Sequence, residues 1–138
     1  MIDCLIPARG GSKGIKNKNI YKINDIPLIA YTIHIAQKCA NVRRVFVSTD
    51  SEEIAEIAKK FGAIVPFIRP VELASDIAKD IEVFKHFIEE GYRNNLSISE
   101  NILHLRATAP GRDSEIVDEA IGQFLKVFNE FTSLRSAH

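Results

Sequence analysis

Residues 2–14 read IDCLIPARGGSKG, an apolar run that passes directly into a loop of glycines and basic side chains. The run at residues 2–7 is short and mostly apolar, as expected of a strand that is buried on both faces in a parallel sheet. The loop continues to residue 19 and contains no acidic side chain. This stretch therefore predicts a buried strand followed by a turn that carries a concentrated positive charge.

The loop at residues 8–19 has the composition of a phosphate-binding turn. Its glycines allow backbone N–H groups to approach an anion closely. Arginine can bind phosphate oxygens through a bidentate fork, and lysine binds them as a point charge. The spacing matches neither the Walker A loop nor the dinucleotide fingerprint. The alternative to a polyphosphate site is a basic turn exposed to solvent. The basic residues of the loop are Arg9, Lys13, Lys16 and Lys18.

Strand and helix patterns alternate along the rest of the chain. This alternation predicts an α/β fold with three layers, in which helices cover both faces of a mostly parallel sheet. Residues 1–138 are expected to form a single domain. The elements predicted after the first strand are a helix from Pro27, a strand at 45–47, a helix from Ser51 to Gly62, a strand at 63–68, a helix marked by Ile81, Phe84 and Ile88 and ending near Gly91, a strand at 102–105, and a helix capped by Asp113 or Ser114.

Three polar segments without periodicity each follow a predicted strand. They are residues 8–19, 69–80 and 106–112. In open parallel sheets, ligands bind beyond the carboxyl ends of the strands, at the point where the strand order reverses. We therefore predict that the three segments form one shared site.

The bulk composition excludes several classes of partner. Eighteen basic and eighteen acidic residues cancel in a chain of 138 residues, so no global charge favours nucleic acid or an anionic membrane. No apolar stretch is long enough to span a bilayer and no signal peptide is evident, so we expect a cytoplasmic protein. Cys4 and Cys39 are expected to be buried thiols, and the scattered histidines predict no metal site.

The sequence resembles the acylneuraminate cytidylyltransferases, the CMP-sialic acid synthetases, in four motifs that occur in order. Residues 6–14 followed by Lys18 and Asn19 match the family's opening loop, I-P-A-R-G-G-S-K-G-x-x-x-K-N. Residues 27–33, PLIAYTI, resemble the first helix of the family, and residues 47–55 resemble its second strand and helix. Its R-P-x-E-L-A-x-D segment resembles residues 69–76, RPVELASD. The resemblance covers nearly the whole chain and implies a Rossmann-like nucleotide-diphospho-sugar transferase fold.

The resemblance also implies a reaction. Such enzymes join CTP to a nine-carbon 2-keto acid sugar, giving the CMP-sugar and pyrophosphate, usually with Mg²⁺. The anomeric hydroxyl attacks the α-phosphorus in line, and catalysis consists mainly of positioning and charge neutralisation. A 3-deoxy-manno-octulosonate cytidylyltransferase is a weaker alternative, since the first loop of that relative lacks the GGSKG run.

Carried over position by position, the resemblance assigns the triphosphate to Arg9, Ser12 and Lys18, with Arg9 and Lys18 as the catalytic residues. Glycines Gly10 and Gly11 would let the backbone approach the phosphates, and Asn19 would contact the nucleoside.

The base-binding residues come from a later segment. Arg69 and Ala78 would frame the base, and Asp80 stands where the family usually has a serine near the base edge. Because an ionised carboxylate accepts hydrogen bonds but cannot donate them, the identity of the nucleotide stays open at this position.

A second departure lies after the fourth strand, where Arg106 replaces the glutamine that commonly faces the sugar. A cation there would suit a different nonulosonic acid, of the legionaminic or pseudaminic type. The other interpretation is a simple ion pair. Asp50 has no role assigned by the resemblance, and it could bind ribose, cap the following helix or help to hold Mg²⁺.

The third departure is length, since family members are longer than this chain. The resemblance places the metal-binding aspartates and the dimerisation segment in a C-terminal part, so we expect a chain truncated relative to the family and a possible homodimer of the complete protein. Two functions therefore stay open: an active cytidylyltransferase, or a catalytically incomplete nucleotide-binding or interaction domain.

Overall fold

The computed structural model describes residues 1–11, 18–74, 80–109 and 111–135. Its elements alternate between strand and helix as the sequence predicts. They are β1 (Ile2–Pro7), β2 (Lys22–Ile23), β3 (Ile26–Pro27), α1 (Leu28–Lys38), β4 (Val42–Ser48), α2 (Glu52–Lys60), α3 (Asp80–Arg93), β5 (Ile102–His104) and α4 (Ser114–Val127), with short 3₁₀ turns at Lys18–Ile20 and Val71–Ala74.

The main sheet is parallel, and β1 lies at its centre between β4 and β5. A single parallel bridge joins Phe46 of β4 to Ile64, so the segment after α2 continues the sheet on the side of β4. The chain first moves outward from β1 to β4 and Ile64, and then returns to place β5 on the other side. The strand order therefore reverses between β1 and β5, which is the position where ligands bind in such sheets.

Alternate residues of the strands face two different layers. Cys4 and Ile6 pack with α1 and α2 on one face, whereas Leu5 and Phe46 pack against Phe87 of α3 on the other face. The helix α4 contributes Ile121 to a smaller cluster at the end of α1. This arrangement confirms the predicted three-layer αβα fold.

The helix ends follow the predicted signals. Ser51 caps α2 by accepting a hydrogen bond from the Ile54 amide at 3.2 Å. Gly62 stops the same helix with a φ of 95°, a conformation that glycine adopts without strain. Of the two candidates for the cap of α4, the structure shows Asp113, whose side chain accepts from the Glu115 amide at 2.8 Å.

Two sequence expectations about the elements were wrong, and one element was missed. The strand expected at residues 63–68 is reduced to one bridge, since Pro66 has no N–H to continue a ladder. Ile81 is exposed, because the buried face of α3 is centred on Val83 and Phe87. The hairpin of β2 and β3 was not predicted.

That hairpin turns at Asn24 and Asp25, and both residues have positive φ. These are the residue types that tolerate this conformation best after glycine. Among the described residues, no helix is both long and apolar enough to cross a membrane.

Candidate functional site

The loops that follow β1 and β4 are joined directly at the carboxyl edge of the sheet. The Ala8 amide donates to the Ser48 carbonyl at 2.9 Å, which extends the pairing of the two strands. One residue later the chain turns, and the Gly10 amide donates to Oδ1 of Asp50 at 2.8 Å. The start of the basic loop is therefore fixed to the end of β4 by a charge-assisted hydrogen bond.

Of the two adjacent glycines in this turn, only Gly10 is in a crowded position. A Cβ atom added to Gly10 would lie 3.1 Å from the Cβ of Ser51 and 3.7 Å from the carboxylate oxygens of Asp50. At Gly11 an added Cβ would meet no described atom within 4 Å. The close approach at Gly10 is therefore to the residues that follow β4, Asp50 and Ser51.

The far end of the basic loop returns to its beginning through Asn19. This buried side chain donates from Nδ2 to the carbonyl oxygen of Arg9 at 2.8 Å. Lys18 precedes it at an exposed position in the 3₁₀ turn Lys18–Ile20. Asn19 thus brings the backbones at residues 9 and 19 together, while its predicted contact with a nucleoside stays a prediction.

Arg69 is the most deeply buried cation at this edge, with 3% of its surface exposed. Its amide donates to the Thr49 carbonyl at 2.8 Å, which places it beside the end of β4. Within the described part of the chain, its buried Nε makes no hydrogen bond. Burial lowers the pKa of Arg69; Asp50 and Asp80 raise this pKa, and the nearby charge of Arg9 lowers it further. Arg9 and Arg69 therefore share one electrostatic environment.

The loop after β5 meets the start of α3 through an ion pair. Nη2 of Arg106 lies 3.3 Å from Oδ2 of Asp80, and the two side chains are 69% and 53% exposed. The backbone beneath this pair is held by the buried Thr32 hydroxyl, which lies 3.3 Å from the carbonyl oxygens of both Arg106 and Ala107. The ion-pair interpretation of Arg106 is thus confirmed, and its contact with a sugar stays a prediction.

His104 also lies near this edge, and the sequence analysis did not select it as a site residue. Its ring packs edge-on against Phe84, with the ring centroids 4.9 Å apart. Burial lowers the pKa of His104; Asp80 raises this pKa, and Arg106 and Arg112 lower it. Its position as the last residue of β5, directly before the predicted site segment, is the signal that could have identified it.

Asp50 does not cap α2, so that interpretation of the sequence was wrong. Ser51 performs the capping, and Asp50 instead accepts from Gly10 and stabilises the charge of Arg69. Its place in the Ser-Thr-Asp sequence that follows β4 was the available signal for this role.

The described residues alone form no metal centre. They contain no group of three carboxylate, histidine or cysteine side chains that could hold a metal. Asp50 is engaged by Gly10 near two arginines, and Asp80 is paired with Arg106. This cationic setting favours anions over a divalent cation.

The predicted triphosphate residue Ser12 and the predicted base residue Ala78 lie outside the described residues. The other predicted site residues belong to segments that meet at the carboxyl edge of the sheet. Arg9 and Arg69 are coupled through their charges, and Asp80 and Arg106 through their ion pair. The expectation that three separate loops meet at one edge is therefore consistent with the described contacts.

The geometry defines the class of protein first. It is a Rossmann-like α/β domain whose loops bring Arg9, Arg69 and Arg106 to the edge where the strand order reverses. A family model described as "Cytidylyltransferase" matches residues 4–135. The chain belongs to the cytidylyltransferase family.

Two relatives support this assignment. The chain is 43% identical to a CMP-N,N'-diacetyllegionaminic acid synthase of Campylobacter jejuni, over 78% of this chain and 46% of the relative. It is 41% identical to an N-acylneuraminate cytidylyltransferase of Escherichia coli, over 87% of this chain and 27% of the relative. The chain thus spans about half the length of the first of these relatives and less of the second.

A solved structure supports the fold. The chain superposes on a CMP:2-keto-3-deoxy-manno-octonic acid synthetase complexed with CTP with a TM-score of 0.72. The match covers 91% of this chain and 47% of that chain at 20% identity. The likeness confirms the nucleotidyltransferase fold that the resemblance implied.

Proposed function

We propose that this chain forms the nucleotide-binding part of a cytidylyltransferase that activates a nonulosonic acid with CTP. In this reaction the anomeric hydroxyl of the sugar attacks the α-phosphorus of CTP. The new O–P bond gives the CMP-sugar, the bond to the β-phosphate breaks, and pyrophosphate leaves with the electron pair. The hydroxyl proton passes to solvent or to a base.

The observation that carries this proposal is the buried guanidinium of Arg69 beside Arg9. A buried cation with an unsatisfied N–H is costly, and an anionic ligand removes that cost. The carboxylates that stabilise Arg69 are Asp50 and Asp80, and each has another partner, Gly10 and Arg106 respectively. A nucleoside triphosphate bound at this edge, where α/β sheets bind ligands, brings negative charge to Arg9 and a base whose polar atoms can accept a hydrogen bond from Arg69.

The proposed roles follow the sequence expectations. Arg9, Ser12 and Lys18 hold the triphosphate, and Arg9 and Lys18 neutralise the charge that moves to the leaving pyrophosphate. Gly10 and Gly11 keep the loop open to the phosphates. Asn19 contacts the nucleoside, Arg69, Ala78 and Asp80 lie around the base, and Arg106 faces the sugar.

Arg9 and Lys18 neutralise the phosphate charge in this mechanism, and no step is assigned to a metal ion. Magnesium usually accompanies nucleoside triphosphates and neutralises their oxygens. Its protein ligands, and any homodimer contact, are expected in the C-terminal part that the resemblance implies. We expect the reaction to run in the cytoplasm, where CTP is available.

The substrate class is supported by the names of the two relatives, since legionaminic and neuraminic acids are both nonulosonic acids. A second candidate is a nucleotide-binding domain that cannot complete the reaction. The chain spans 46% of the length of the legionaminic acid relative, so the activity of the chain by itself is a separate question from that of the relative.

A pyrophosphate-release assay with CTP, Mg²⁺ and a panel of nonulosonic acids distinguishes the two candidates, and a thermal shift with CTP, ATP, GTP and UTP accompanies it. We expect CTP to raise the melting temperature more than the other nucleotides do. Pyrophosphate that depends on the sugar supports the enzyme. A CTP shift without pyrophosphate supports the binding domain, and no shift with any nucleotide would refute both.

A further inference from the structure

Asp80 and Arg106 form an ion pair that differs from the other arginine–carboxylate contact of the central sheet. Asp3 is 1% exposed and receives hydrogen bonds from both Arg43 and Arg44 at 2.9–3.2 Å. The Asp80–Arg106 pair has a single contact at 3.3 Å, and both partners are more than half exposed. The first arrangement is fixed, whereas the second can open at little cost.

The energetic difference follows from solvent and geometry. Exposed ion pairs contribute little to stability, whereas bidentate pairs with a buried partner contribute more. The Thr32 hydroxyl donates a hydrogen bond to the carbonyl oxygen of Arg106, which fixes the backbone of Arg106 but not its side chain. The guanidinium of Arg106 can therefore exchange one carboxylate for another while its backbone stays in place.

The position of Asp80 connects two parts of the site. Asp80 contacts Arg106 on the side of β5 and also raises the pKa of the buried Arg69 on the side of β4. Its charge therefore acts on both Arg69 and Arg106, the cations on which the proposed function places the nucleotide and the sugar.

We propose, resting on the function proposed above, that Asp80 determines specificity by occupying Arg106 until the carboxylate of an acid sugar replaces it. In the free protein Asp80 neutralises Arg106, so that stray anions gain little by binding there. A 2-keto acid sugar presents a planar carboxylate that matches the guanidinium in a bidentate fork. The exchange replaces the single Arg106–Asp80 contact with two hydrogen bonds from Arg106 to the sugar carboxylate. It therefore selects sugars that carry a free carboxylate.

Calorimetric titration of two probes tests this exchange in the whole chain. The probes are N-acetylneuraminic acid and its methyl ester, which lacks the charged carboxylate, added in the presence of CTP and EDTA so that no turnover occurs. The variants are Asp80→Asn, Arg106→Gln and the double variant. Glu90→Gln is the matched control, because it opens the exposed Glu90–Arg93 pair on the same helix, α3.

The wild-type chain is expected to bind the acid more tightly than the ester. Arg106→Gln is expected to weaken acid binding about tenfold or more and to leave ester binding unchanged, since a hydrogen bond to a charged group is lost. Asp80→Asn is expected to tighten acid binding by about twofold to fivefold, because the competing carboxylate is removed. The double variant is expected to behave as Arg106→Gln alone, and Glu90→Gln as the wild type.

The inference would be overturned if Asp80→Asn weakened the affinity for the acid or left it unchanged. It would also be overturned if the double variant bound the acid more tightly than Arg106→Gln alone. A wild-type chain that binds CTP but not the acid would also overturn it, while leaving the nucleotide part of the proposed function intact. A chain that binds no CTP would count against the proposed function itself. Asp80→Ser, which introduces the residue usual in the family, replaces Asp80→Asn if that variant does not fold.

Discussion

At the scale of single residues, Arg69 is expected to cost the fold stability while it serves ligand binding. Its side chain is almost fully buried, and its Nε has no hydrogen-bond partner among the described residues. A buried cation with an unpaired N–H carries a desolvation cost, and an apolar side chain of similar volume removes that cost. The residue is therefore explained better by a ligand than by the stability of the empty fold.

Arg69→Met is expected to leave the free energy of unfolding within about 1 kcal/mol of the wild type, or to raise it. It is also expected to weaken CTP binding by about tenfold or more, since a charge-assisted contact is lost. Denaturant unfolding and calorimetric titration measure the two quantities, and Arg93→Met on the exposed side of α3 serves as the control. A loss of more than about 2 kcal/mol of stability with unchanged CTP affinity would indicate a structural arginine instead.

The sequence identified the residues of this site more readily than their contacts. The charges of Arg9 and Arg69 follow from composition and from the resemblance, so they could be predicted. The hydrogen bond from Gly10 to Asp50 joins residues 40 positions apart, and no local pattern reports it. For the same reason the sequence could not decide between the roles considered for Asp50.

At the scale of elements, the amino end of β1 is held by a charged network far from the candidate site. Asp3 accepts hydrogen bonds from Arg43 and Arg44 and from the amide of Ser99, while its own amide donates to the Ser99 hydroxyl. This network ties the centre of the sheet to β4 and to the segment that enters β5.

Asp3 is expected to make the fold sensitive to acid. Burial alone would raise the pKa of Asp3, but hydrogen bonds from Arg44, Arg43 and Ser99 hold it below its ordinary value of 3.8. The unfolded chain therefore binds a proton at this carboxyl first as the pH falls. The stability that Asp3 contributes is complete above about pH 5 and declines progressively below about pH 4.

Asp3→Asn is expected to lower the free energy of unfolding by about 2–3 kcal/mol at pH 7, because charge-assisted hydrogen bonds are weakened. The variant is also expected to lose less additional stability than the wild type between about pH 5 and pH 3. Urea unfolding across this range measures both effects, and Asp25→Asn on the hairpin turn provides a surface control. If Asp3→Asn and the wild type lost the same unfolding free energy as the pH fell, this role for Asp3 would be excluded.

The elements show where sequence patterns suffice and where they fail. The run at residues 2–7 and the signals at Ser51 and Gly62 are local, and each appears in the structure as predicted. The apolar pattern at residues 63–68 predicted a longer strand than the structure shows. The length of a strand depends on its pairing with a partner strand, and Pro66 limits that pairing to one bridge. The two-residue strands of the hairpin are too short to produce a detectable period.

At the scale of the whole molecule, a chain of zero net charge carries charged clusters at both ends of its sheet. At the amino end, the buried carboxylate of Asp3 is held by Arg43 and Arg44. At the carboxyl end, the described contacts of Arg69 and Arg106 are with Asp50 and Asp80, and the Asp80–Arg106 ion pair is exposed to solvent. The two clusters therefore differ in how firmly their charges are paired, and the proposed function places the anionic ligand at the less firmly paired end.

The measurement that tests this account most directly is a calorimetric titration of CTP into the wild-type chain and into a folded Arg9→Ala variant. The account predicts saturable binding to the wild type and a loss of about tenfold or more in affinity in the variant, since a guanidinium–phosphate contact disappears. Equal CTP affinity in the two folded chains would contradict the claim that the turn after β1 receives the phosphates.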